Sequence, residues 1–395
     1  MHRQANAAAQ TPFDLTQSLL RLELLRVNDQ DHVLLITVHH IISDRWSVGV
    51  FLREMTLLYN AYLDGEVSGD LETRSPLPEL PIQYGDWAVW QRQWLQGKVL
   101  EDHISYWTKQ LADVPMLQLP TDRPYPPVPS YRGNQMAIAL SPAQSQTLKA
   151  LAAKEGVTLF ILLLAAFGIL LHRYSQQDDV TIGTDIANRD RTETQGLIGL
   201  LVNTLVLRLD STGNPSFRDY LQRVKQTVAG AFTYQALPFE KLVEVLNPER
   251  NMSQMSPLFQ AKFDLQIAPV KPLALNGMTV ERLPLDNHTV KYELRLNLQD
   301  SAAGINGQVE YSTDLFNADT IARLIGHFQQ LLEAIATNPD QPIELLSLLT
   351  QTERQQLLVD WNQTQQVYAN EVSVEGLTIH GLFEQQVERT PDAIA

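Results

Sequence analysis

The chain has 395 residues, a formal net charge of −15, 44% hydrophobic and 19% charged residues, and no cysteine. That is the composition of an ordinary globular protein long enough for two or three domains, and its acidic balance argues against a nucleic-acid surface. The lack of cysteine excludes disulfides, thiolate-bound zinc and a cysteine nucleophile, and it fits a cytoplasmic location. Residues 1–6 lack the apolar core of a signal peptide.

Pro12-Phe13-Asp14-Leu15 leads into a strand-like run at 19–25, expected to pair with 33–38 across a polar turn at Asn28 to Asp31. The second run is rich in β-branched residues and too short for a comfortable helix. It ends in His39-His40-Ile41-Ile42-Ser43-Asp44-Arg45-Trp46-Ser47. Beyond that stretch, Val48, Phe51, Leu52, Met55, Leu58, Tyr59 and Tyr62 recur at helical spacing, which predicts a helix over 47–63 with Ser43 or Asp44 as N-cap. The histidines therefore stand where a strand ends and Asp44 where a helix begins. Loops held between two rigid elements are a usual place for chemistry. Neighbours on an extended backbone point to opposite faces, so one histidine is expected to be buried as support and the other to face a cavity. Residue types alone leave two readings open: a catalytic pair, or core-edge histidines beside a capping aspartate.

An aromatic-rich helix starts at Ile82-Gln83-Tyr84-Gly85-Asp86-Trp87-Ala88-Val89-Trp90 and runs towards Leu95; another covers 100–112. Pro115, Pro120, Pro124, Pro126, Pro127 and Pro129 exclude a regular element over 115–133, and a domain junction is placed there, between 1–128 and 129–345. A strand at 135–140, a helix at 142–154, an apolar helix at 157–174 and a strand at 179–183 follow. The apolar run inside 157–174 falls short of the ~20 residues of a membrane span and reads as a buried core helix. The run 197–208 is strand-like with Asn203-Thr204 in its middle; such a polar pair either finds partners in the core or faces a cavity. Helices follow at 217–234 and from Leu237-Pro238-Phe239-Glu240. Tyr292, Leu294, Leu296 and Leu298 alternate with polar residues, and Ile305, Val309 and Tyr311 continue the pattern after a turn containing Gly304 and Gly307, which predicts a hairpin with one buried face. A helix at 317–337 precedes a linker at 346–378 with a short helix at 352–358. Residues 379–395 read as the opening of a further domain. There is no glycine-rich phosphate loop, no His-Glu-x-x-His and no G-x-S-x-G.

Five motifs, in order, resemble those of the condensation domains of non-ribosomal peptide synthetases, which share a fold with chloramphenicol acetyltransferase. They are His39-His40 with Asp44; Tyr84-Gly85-Asp86-Trp87-Ala88-Val89-Trp90; Ile198-Gly199 with Val202-Asn203-Thr204 and Arg208; Gln235 through Pro238-Phe239-Glu240; and Arg250-Asn251 with Ser256-Pro257-Leu258-Phe259-Gln260. The resemblance implies an α+β fold, a two-layer α/β sandwich repeated as a pseudo-dimer of two lobes with the first lobe incomplete. Residues 379–395 look like the start of an adenylation domain.

The implied activity is amide-bond formation between an aminoacyl or peptidyl thioester and the amine of a second aminoacyl thioester. Both are presented by upstream and downstream peptidyl carrier domains on 4'-phosphopantetheine, with an adenylation domain in cis. No directly bound cofactor, metal, nucleic acid or membrane is implied. His40 is implied as the catalytic residue facing a tunnel, with His39 and Asp44 in support and Asp44 in a structural salt bridge. Arg45, Trp46, Ser47, Asn203 and Thr204 are implied tunnel or loop contacts. An α-amine titrates at ~7.7–8.0, so part of it is already neutral near pH 7. His40 then serves as general base, or it orients the amine or the tetrahedral intermediate.

Arg45 stands where the family usually has glycine. It implies ordinary backbone angles there, and a long cation that pairs with an acid, narrows the acceptor side, or is simply solvated. The chain also starts late against the family pattern. An Arg-rich motif from which Asp44 would draw its partner is missing, and strand 19–25 is expected to leave an edge or apolar surface exposed. Two further readings are a non-catalytic platform that recruits carriers or a tailoring enzyme, and an epimerisation subtype.

Overall fold

In the computed structural model, which describes residues 2–65, 75–247, 253–266, 273–283, 285, 288–364 and 378–392, strand alternation builds two sheets. The larger is six-stranded and mixed. It contains β3 (Gly133–Ala139), β4 (Asp179–Ile186), β5 (Asn203–Asp210), β6 (Ala261–Gln266), β7 (Leu294–Ser301) and β8 (Gly304–Ser312). Its order is β3-β8-β7-β6-β4-β5, with the β4–β6 and β6–β7 pairs parallel.

The register places Leu294 opposite Tyr311 and Leu296 opposite Val309, and all four are buried. They share a core with α5 (Pro142–Lys154), α6 (Leu159–Ser175) and α9 (Ala318–Thr337). In α6 every residue from 161 to 172 is buried, because the helix is covered on all sides. Alternation sends Lys262, Asp264, Gln266, Arg295, Asn297 and Glu310 to the other face. The expected β7–β8 hairpin is present, but Gly307 is not in its turn. Ala302 and Ala303 make the turn, closed by the Ser301–Gly304 pair, while Gly307 lies inside β8 where a Cβ would strike the Asn297 carbonyl.

The smaller sheet pairs β1 (Leu20–Arg26) with β2 (His32–Val38) antiparallel, Leu22 opposite Ile36 and Leu24 opposite Leu34. Arg21 donates to the Ala8, Thr11 and Pro12 carbonyls at the end of α1 (His2–Gln10), on the face that holds buried Leu35. The opposite face carries Leu22 and Leu24, 56% and 67% exposed, which is the apolar surface expected of this strand.

Two compact units form, Met1–Leu348 and Leu349–Ala395. No division falls at the proline-rich stretch. Trp107 of α4 (Gly97–Gln110), Leu111, Leu117 and Leu119 lie in the same core as the six-stranded sheet, and Leu117 N–H donates to Gln260 at 3.0 Å. The stretch from Trp107 to Leu119, placed ahead of the expected junction, is therefore packed into the interior of 129–345. The second unit holds α10 (Gln351–Leu358), opened by a Thr350–Glu353 capping box, and α11 (Ile379–Arg389). Within the expected linker 346–378, residues 365–377 lie outside the described residues.

Glu293, at the foot of β7, is 1% exposed; its Oε1 accepts from Met255 N–H at 2.9 Å, and its Oε2 has no hydrogen-bond partner among the described residues. Burial pushes its carboxyl up to about 7. A raised carboxyl favours the fold while protonated. Its contribution is complete below the unfolded value of 4.5 and is lost as pH rises through about 7. Glu293→Gln keeps the acceptor and removes the charge. Urea denaturation is expected to show a higher midpoint than wild type at pH 8 and a flatter pH dependence between 4.5 and 7.

Candidate active site

β2 stops at Val38, and the chain turns through a single 3-10 turn, His40–Ile42, into α2 (Arg45–Leu63). His39 is still extended and half-buried, edge-on to Phe13 with ring centroids 5.6 Å apart. Its Nδ1 accepts the Ile41 N–H at 3.1 Å, so a neutral His39 carries its proton on Nε2. His40 is exposed, and its Nδ1 lies 2.6 Å from the Ser43 carbonyl oxygen. A carbonyl only accepts, so Nδ1 carries a proton and, in a neutral His40, Nε2 keeps its lone pair. The adjacent histidines thus hold opposite tautomers. His39 fixes the turn, and His40 offers a basic nitrogen to its surroundings.

Asp44 caps α2 by accepting the Ser47 N–H at 2.8 Å. The same carboxylate accepts the Leu201 and Val202 N–H groups at 3.0 and 3.2 Å, and it is paired with Arg189, whose Nη2 lies 3.1 and 3.2 Å from its two oxygens. Both side chains are buried, 0% exposed for Arg189 and 2% for Asp44. Arg189 Nη1 donates to the Thr194 and Leu197 carbonyls at 2.7 Å each. Burial alone would raise the Asp44 carboxyl. The Ser47 and Leu201 donors and the Arg189 charge outweigh it and hold the group below its ordinary range.

This pairing explains where the expected strand at 197–208 goes wrong. β5 begins only at Asn203, because the Leu201 and Val202 amides are spent on Asp44 and the Gly199 amide donates to Ser47 Oγ at 3.1 Å. The loop is seated on α3 (Tyr84–Trp94). Tyr84 Oη donates to the Leu200 carbonyl at 3.0 Å, its ring fills the space a Gly199 Cβ would need, and Trp87 packs with Leu197 and Leu201. The second and third motifs therefore meet the first at one buried node.

The family model described as condensation domain matches residues 1–358. The chain belongs to the condensation-domain family. It is 44% identical over 397 residues to a linear gramicidin synthase chain of Brevibacillus parabrevis, covering 100% of this chain and 8% of that protein. It is 46% identical over 380 residues to another chain of the same synthase, covering 95% and 7%. The chondramide synthase of Chondromyces crocatus is 43% identical over 396 residues, covering 100% and 10%. This condensation domain thus spans a tenth or less of the length of these relatives. Among solved structures, the X-domain from teicoplanin biosynthesis superposes with a TM-score of 0.79 at 28% identity, over 87% of this chain and 78% of that one. A four-domain non-ribosomal peptide synthetase bound to AMP and glycine gives 0.77 at 22% identity, over 100% and 30%, which supports the α+β condensation fold.

The remaining site residues divide. Ser47 is fully buried, its Oγ 2.7 Å from Asp44 and 2.8 Å from the Gly199 carbonyl, so it is a loop anchor and not a tunnel contact. Trp46 donates its indole N–H to the Gln195 carbonyl at 2.9 Å and stays 43% exposed. Asn203 is a satisfied core amide: Nδ2 donates to the Gln235 and Leu237 carbonyls at 2.8 Å each, and Oδ1 accepts the Phe239 N–H. It ties the fourth motif to β5 and has no capacity left for substrate. Thr204 donates to Asp185 at 2.8 Å. Arg45 has ordinary backbone angles as the first residue of α2, but it finds no acid among the described residues; it donates to Gln266 at the end of β6.

The partner of Asp44 is not drawn from an earlier motif but comes 145 residues later. Arg189 was legible only as one of two arginines in Asn188-Arg189-Asp190-Arg191, just ahead of the Ile198-Gly199 motif. The signal was the aspartate itself, a buried cap that needs a cation.

Arg189→Met leaves Asp44 buried without its charge partner and is expected to cost about 3–5 kcal/mol of stability at pH 7. A carboxyl depressed in the fold stabilises above its unfolded value and stops doing so as pH falls through the folded value. The difference between variant and wild type in urea denaturation is therefore expected to shrink below pH 3.8.

Proposed function

We propose that this condensation domain forms an amide bond between two carrier-bound thioesters, and that His40 Nε2 is the group that meets the attacking amine. The carrying observation is the 2.6 Å contact of His40 Nδ1 with the Ser43 carbonyl, which frees Nε2 as an acceptor on an exposed ring. The amine nitrogen bonds to the thioester carbonyl carbon, and the carbon–sulfur bond breaks. The proton released from nitrogen passes by way of Nε2 to the departing thiolate. With an amine already partly neutral near pH 7, His40 supplies orientation together with proton acceptance.

The donor and acceptor are aminoacyl or peptidyl groups on 4'-phosphopantetheine arms of upstream and downstream carrier domains, with an adenylation domain in cis. Three linear gramicidin synthase subunits and a malpibaldin synthetase, 42–46% identical to this chain, support this reading. A second reading, a platform that recruits a tailoring enzyme, is favoured by one observation: an X-domain at 28% identity and TM-score 0.79 was solved as a complex with OxyB.

In the full synthetase module, His40→Ala is expected to lower dipeptide formation by roughly 10²–10⁴-fold while both carriers still load, as read by mass spectrometry of the carrier-bound products. Undiminished transfer would overturn the proposal and favour the platform.

A further inference from the structure

Arg45 is held without a counter-charge among the described residues. Its guanidinium donates to the neutral Gln266 side chain, which in turn donates to Asn297 at 2.9 Å. Two other guanidinium groups, Arg295 and Arg282, lie close enough to oppose its charge, and Asp264 is the acid that favours it. Asp264 is already taken. Its Oδ2 accepts from Arg295 Nε at 2.8 Å, and Glu310 also faces Arg295, at 3.4 Å. The neighbouring Lys262 is matched by Asp185 at 2.6 Å. Among the described residues, two carboxylates on this face, Asp264 and Glu310, both sit on Arg295.

Such an arrangement is costly for a group that is partly desolvated. Burial, then Arg295 and Arg282, holds the Arg45 guanidinium below its ordinary range. A small oxyanion placed against it would remove that repulsion and accept two parallel N–H groups, the geometry guanidinium favours. Arg45 remains exposed, so an anion can reach it, and it follows Asp44 directly as the first residue of α2, just beyond the turn that holds His40.

We propose that Arg45, set between the histidine loop and the polar face of β6 and β7, is a subsite for an anionic group of the thioester substrate. This rests on the condensation reading and deepens it. Two sources present the same chemistry: a side-chain carboxylate of the acyl group, or the phosphate of the pantetheine arm. In the first case the subsite selects which amino acid is joined; in the second it sets how far the arm enters.

Titration calorimetry on the whole chain separates them with two matched pairs of probes. One pair is glutamyl-pantetheine against glutaminyl-pantetheine thioester, and the other is 4'-phosphopantetheine against pantetheine. The anionic member of one pair is expected to bind about tenfold more tightly or better, a preference that weakens as salt is raised. Preference within the first pair assigns the carboxylate, and within the second the phosphate. Arg45→Gln should abolish it and Arg45→Lys retain part of it. Arg53→Gln, at an exposed position of the same helix, should leave it whole. Equal binding of charged and neutral probes, including no measurable binding of either, overturns the subsite; so does a preference that survives in Arg45→Gln. Since binding needs no turnover, a lost preference with intact peptide transfer defeats the subsite alone. A kept preference with transfer insensitive to His40 defeats the condensation reading alone.

Discussion

A carboxylate taken out of water is expensive to keep ionised, and Asp44 is kept ionised by everything around it. Its two oxygens take a helix cap, two backbone amides of a distant loop and an arginine that has no other acid among the described residues. Removing any one of these leaves the others facing an under-neutralised buried charge. The pair is therefore less a source of net stability than a device of specificity: it selects one arrangement of the chain around the start of α2. The 3-10 turn carrying His40 lies immediately before that start, so the position of the imidazole depends on the pair through Ser43 and the cap.

The same node explains why distant motifs belong together. Gly199 admits the Tyr84 ring, Trp87 packs beneath the loop on Leu197 and Leu201, and Arg191 stacks over Trp90 at 4.3 Å. A loop of apolar residues is held off the sheet as surely by these contacts as by the amides given to Asp44. Further along, Asn203 secures the turn from Gln235 to Phe239, and Phe259 joins the core while Gln260 pins the chain after α4. The chemistry-bearing surface is small, and most of the motif residues build the frame behind it.

Much of that frame was legible in sequence because it depends on periodicity. The β7–β8 hairpin, the buried helix α6 and the amphipathic helix α9 follow from alternation and helical spacing, and Asp44 was legible as a cap from its place before a helical pattern. What periodicity could not show was competition for backbone amides. The run from Leu197 to Val202 has strand composition, yet a side chain elsewhere claims its donors. Nor could composition show that Asn203 and Ser47 are spent inside the protein, or that Arg45 finds an amide. Those outcomes are set by long-range partners, 149 residues away for Trp46 and 221 for Arg45.

The Asp44–Arg189 pair, acting as a unit, holds the histidine loop in its working form. A double-mutant cycle on Asp44→Asn and Arg189→Met, read in both urea denaturation and peptide transfer by the full module, tests it most directly. A coupling of about 2 kcal/mol or more in stability is expected, within the range for contacting residues in one network. The double variant is expected to transfer no worse than the poorer single variant. Additive losses in both measurements would contradict it and show that the two residues act separately.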